Sequence, residues 1–78
     1  MRGPEQGRAR IAQLIDEAES LDSLDLKAFQ RWVQASYEAL EIDPWQQQRF
    51  DEYCRSSSDS TSMRLFVGVW ILRLALSS

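Results

Sequence analysis

The run Leu65-Phe66-Val67-Gly68-Val69-Trp70-Ile71-Leu72-Arg73-Leu74-Ala75-Leu76 is apolar but for one arginine. In a chain of 78 residues, such a segment constrains everything else, because more than one side of it has to be covered. It is too short to cross a bilayer, which takes about 20 apolar residues. The opening Met1-Arg2-Gly3-Pro4-Glu5-Gln6-Gly7 has no apolar core behind its arginine, so no secretory leader is read there.

The rest of the chain reads as helix. Ile11, Leu14, Ile15, Ala18 and Leu21 recur at the period of one helical face, with Gln13, Glu17 and Ser20 opposite, which predicts a first helix from Arg8. Residues 21–25 are dense in capping types and make the first turn. Asp25 is placed to cap a second helix over residues 26–41, whose stripe is Phe29, Trp32, Val33, Ser36, Tyr37 and Leu40. Ser36 interrupts that stripe: a small side chain there lets a neighbour approach, or its hydroxyl bonds back to the preceding turn.

Asp43-Pro44-Trp45-Gln46 is the best-specified helix start in the chain. It joins an acidic N-cap, a proline at the first helical position and a glutamine spaced to complete a capping box. The third helix is expected from Pro44 to Arg55, with Trp45, Phe50, Tyr53 and Cys54 on its apolar side. Residues 56–62, six of them serine or threonine, form a loop. The apolar run then has three helical neighbours and no strand to pair with, so it is a fourth helix from Ser62 or Met63 to Leu76. The expected fold is all-α, a small four-helix bundle with short connections over residues 8–76, after a flexible N-terminus at 1–7.

At 100° per residue, the fourth helix divides into two apolar stripes. Met63, Phe66, Val67, Trp70, Ile71 and Leu74 make the bulkier one; Leu65, Gly68, Val69, Leu72, Ala75 and Leu76 make the smaller one. Either both stripes are internal, with this helix at the centre of the bundle, or the bulky stripe closes the core and the smaller one meets a second copy or a partner. On the second reading the partner-binding residues are Leu65, Gly68, Val69, Leu72 and Leu76.

Composition narrows the chemistry. There is no histidine and only one cysteine, Cys54, so neither an imidazole–nucleophile pair nor a metal site is to be expected, and no cofactor or small-molecule substrate is implied. The expectation is therefore a protein that is not an enzyme. The lone thiol fits a reducing cytoplasm. With 12 acids against 9 bases the net charge is −3, and beyond Arg2, Arg8 and Arg10 the bases are scattered, which argues against nucleic acid, while the composition and the short apolar run argue against a membrane. Asp16, Glu17, Glu19, Asp22 and Asp25 form an acidic patch, read as a solvated helix end and cap or as a surface for a basic partner. Trp32 and Trp70 are expected in the core, and Trp45, in a first helical turn, is the tryptophan most open to exposure.

Asp25-Leu26, Phe29, Trp32, Ser36 and Leu40, then Phe50, then Gly68-Val69-Trp70-Ile71-Leu72 resemble a helical module of bacterial defence proteins, the effector-associated adaptor of abortive-infection or Toll/interleukin-receptor-like systems. The resemblance implies recruitment or oligomerisation rather than catalysis. The expected function is a non-enzymatic helical protein–protein interaction module that self-associates or recruits a partner. The alternative is a small acidic inhibitor or antitoxin that masks a basic surface of its target.

Overall fold

A computed structural model describes residues 4–22 and 24–77, with side chains from Gln6 onward. Four helices carry the fold: α1 (Pro4–Glu19), α2 (Leu26–Ala39), α3 (Pro44–Phe50) and α4 (Thr61–Ser77), and no strand occurs among the described residues. A single 3-10 turn, Leu40–Ile42, extends α2, and a π-helical segment, Asp51–Arg55, extends α3.

The helix starts follow from local chemistry. The Asp25 carboxylate accepts from the Ala28 backbone N–H at 3.1 Å, and the Asp43 carboxylate accepts from the Gln46 N–H at 3.3 Å with Pro44 following. These bonds satisfy amide groups that a helix start leaves without an internal partner. The capping box at α3 is only half formed. The Asp43 N–H donates to the Leu40 carbonyl at 2.9 Å, so nothing remains for the Gln46 side-chain oxygen, which is buried without a partner.

The helix α1 starts earlier than its sequence pattern suggests. Pro4, suited to a first helical turn because it lacks an amide proton, opens it, and Gly7 lies so close to the 3-10 turn that a Cβ there would come within 2.8 Å of Ile42 Cγ2. The expected flexible lead-in is thus helical from Pro4; residues 1–3 lie outside the described residues.

The core is built around aromatic side chains of α2 and α3. Trp32 lies 6.2 Å from Phe29 and 6.1 Å from Phe50, ring centre to ring centre. The Trp32 indole N–H donates to the Leu14 carbonyl at 2.8 Å, which fixes the ring and ties α2 to α1. Ile11, Leu14, Leu40, Cys54, Ile71 and Leu72 fill the space around these rings. Ser36 takes the role of a small residue. It is fully buried and its hydroxyl has no partner, so the stripe of α2 narrows there without a bond back to the helix.

Arg64 joins the ends of two helices. From the first turn of α4 its Nε donates to the Cys54 carbonyl at 2.7 Å and its Nη2 to the Arg55 carbonyl at 3.2 Å. A guanidinium at the carbonyl end of a helix satisfies acceptors that have no internal donor and complements the helix dipole. Its carbon also sits 5.1 Å from the centre of the Phe29 ring. The Cys54 thiol returns the contact by donating to the Arg64 carbonyl at 3.2 Å.

Candidate functional site

Helix α4 packs against α1, α2 and α3 and still keeps one side outside. Which side that is corrects both sequence expectations. Gly68, Ile71, Leu72 and Ala75 face the core, with Leu72 fully buried, whereas Met63, Phe66 and Trp70 remain 51%, 72% and 51% exposed. The inward side draws Gly68, Leu72 and Ala75 from the smaller stripe and Ile71 from the bulky one, and three of the six bulky-stripe residues are outside. Of the residues expected to meet a partner, Gly68 and Leu72 are therefore core, and Leu65, Val69 and Leu76 are half-buried against it.

The physical reason is the width of the gap. Phe29, Trp32 and Phe50 already occupy the centre, so the helix laid against them has to be thin on its facing side. A Cβ on Gly68 would stand 2.9 Å from Trp32 Cη2 and 3.1 Å from both Phe50 Cε2 and Cys54 Sγ. Large side chains of one helix pack against small ones of the next, and Trp70 has no room where Gly68 sits. It turns outward and takes Arg49 of α3, whose guanidinium carbon lies 5.7 Å from the ring centre.

The outward residues border a groove between α1 and α4. Leu65, Phe66, Val69 and Trp70 form its α4 wall and Ala18 part of its α1 wall. Glu19, Ser62 and Arg73 add the polar groups, around an open volume of about 370 Å³. The antiparallel course of the two helices is held at the far end, where the Arg8 guanidinium donates to the Leu76 carbonyl.

The five acids of the sequence patch divide by task. Asp25 caps α2, and Asp22 accepts from the Leu24 N–H at 2.9 Å within the turn. Asp16, Glu17 and Glu19 are exposed on α1, and only Glu19 borders the groove. Trp45 is exposed, as its first-turn position suggests, and Trp32 is buried; Trp70, expected in the core, is not.

Burial pushes the Cys54 thiol up to about 11, against the opposing pull of Arg64, so at neutral pH it stays a protonated, enclosed thiol. Among the described residues no group of histidine, cysteine and carboxylate side chains is placed to hold a metal ion, and no helix is long and apolar enough to cross a membrane. The chain matches no family model, no curated protein and no solved structure.

Proposed function

We propose that this chain is a non-enzymatic helical interaction module that docks onto protein through the outward side of α4 and the groove beside it. The observation that carries the reading is the row Met63, Phe66 and Trp70, three large exposed apolar side chains on one side of one helix, of which Phe66 and Trp70 line an open groove; Leu24, Leu26, Ile42, Trp45 and Tyr53 are also exposed, but none of them borders it. At about 1.5–3 kcal/mol for full burial of such a side chain, the present exposure of the row leaves on the order of 3–5 kcal/mol of burial unrealised. A small domain whose whole stability is about 5–15 kcal/mol carries such a ridge at a cost, which covering it would recover. Aromatic anchors beside an open groove are also where binding energy concentrates in protein interfaces. The reading accords with the resemblance to defence-associated adaptors, which implies recruitment rather than chemistry.

Site-specific photocrosslinking in the cells that make the protein tests it. A photoreactive residue in place of Phe66 is expected to yield discrete protein adducts, while the same group in place of the exposed Gln34 on α2 yields none. Equal labelling from both positions, or no adduct from position 66, overturns the reading.

A further inference from the structure

The groove carries opposite charges at different places along its length. Because α1 and α4 run antiparallel, Glu19 near the end of α1 lies beside the first turns of α4, where Ser62 and Leu65 line the same groove. Arg73 lies past Trp70 toward the other end. Neither side chain forms an ion pair or a side-chain hydrogen bond among the described residues.

The outward row of α4 reads Met63, Phe66, Trp70, Arg73 and Ser77, in alternating steps of three and four, which is the spacing of a helix–helix seam. The row is nearly symmetric about Trp70 in position, with apolar side chains before it and a guanidinium and a hydroxyl after it. An antiparallel two-fold axis through Trp70 sets each Trp70 against its counterpart and Met63 against the Ser77 of the other copy. It also lays Arg73 over the Phe66 ring of the other copy, within reach of that copy's Glu19, and does so twice. A parallel arrangement would instead set Arg73 against Arg73 and Glu19 against Glu19, which like-charge repulsion disfavours.

We propose that the occupant of this face is a second copy of the same chain, docked antiparallel across α4, with Glu19 and Arg73 paired reciprocally between copies. The proposal rests on the docking reading given above and commits it to one partner. The α4 face, 17 residues long, offers a strip of about 26 Å by 10–12 Å, on the order of 300 Å² per copy. This is well below the ~800 Å² per partner of a stable complex, so the dimer is weak and reversible.

Sedimentation velocity from about 5 µM to about 1 mM at low salt tests this, on proteins whose helicity is first matched by circular dichroism. The wild type is expected to pass from monomer to dimer within that range. Glu19→Arg alone and Arg73→Glu alone, both at exposed positions, put like charges opposite each other at both contacts and weaken association at least tenfold. Their equimolar mixture restores both contacts in a heterodimer and associates as the wild type does. A wild type that remains monomeric at 1 mM, single variants that associate unimpaired, or a mixture no better than its components overturns the second copy as occupant. Monomeric behaviour accompanied by Phe66 crosslinks to a different protein overturns this proposal alone. Absence of every adduct overturns the docking reading with it.

Discussion

The two sides of α4 carry similar hydrophobicity and meet opposite fates. On the inner side, Ile71, Leu72 and Ala75 are buried in the core, and Gly68 lies against Trp32, Phe50 and Cys54 at distances a single added methyl group would violate. On the outer side, Met63, Phe66 and Trp70 offer more apolar area and stay in contact with water. Apolar bulk therefore does not rank residues for burial in a small bundle. The space left by the neighbouring helices does, and here α2 and α3 contribute the large rings, so α4 contributes the small groups. The same division separates its two arginines. Arg64 is built into the carbonyl end of the third helix, whereas Arg73 stands at the edge of the groove.

Three measurements bear on that contrast. The largest effect is expected from placing a carboxylate on each side in turn. Leu72→Glu buries an unpaired charge in place of a packed side chain and should cost about 4 kcal/mol or more, enough to unfold much of the population. Phe66→Glu, at an exposed position, should stay within about 0.5 kcal/mol of the wild type in urea titrations at low micromolar concentration. Comparable losses at the two positions would break the distinction between the faces.

The arginines give a smaller and sharper contrast. Arg64→Ala removes two charge-assisted bonds to the Cys54 and Arg55 carbonyls and should lower stability by about 2–3 kcal/mol. Arg73→Ala should change it by less than about 0.5 kcal/mol. Equal effects would mean that the tie between α3 and α4 contributes nothing specific.

The smallest effect belongs to the inner side alone and appears at alkaline pH. Burial raises the Cys54 thiol from its ordinary 9.0 to about 11 in the folded protein. The stabilising difference is fully present below pH 9 and is lost as pH rises toward 11, because the unfolded chain then releases a proton that the folded one retains. Wild type should lose on the order of 2 kcal/mol across that window from this source. Cys54→Ala, less stable at neutral pH, should show a correspondingly flatter alkaline limb in chemical denaturation, and parallel limbs for the two proteins would show that the thiol is not enclosed.

Local signals in the chain foretold much of this architecture. Asp25 and Asp43-Pro44 start their helices where their side chains predicted, and the stripe of Phe29, Trp32, Val33 and Ser36 faces the core as its spacing required. The start of α1 was less legible. Gly3, Pro4 and Gly7 together look like a frayed end, yet at Gly7 the helix packs so closely on Ile42 that a Cβ would clash. The π-helical segment at Asp51–Arg55 has no local signature, and the Arg64 clasp on its carbonyls joins residues that approach each other only after the loop has turned the chain back.

What the sequence alone determined is the helical class, the places where α2 and α3 begin, and the fact that the last helix has no polar face. These are properties of neighbouring residues, set by side-chain spacing, by capping bonds and by the fixed backbone of a proline. Which residues of the two apolar stripes of α4 turn inward was decided only by the tertiary structure. That choice depends on the volume left between rings contributed by two other helices, and no periodicity within α4 encodes the width of that space.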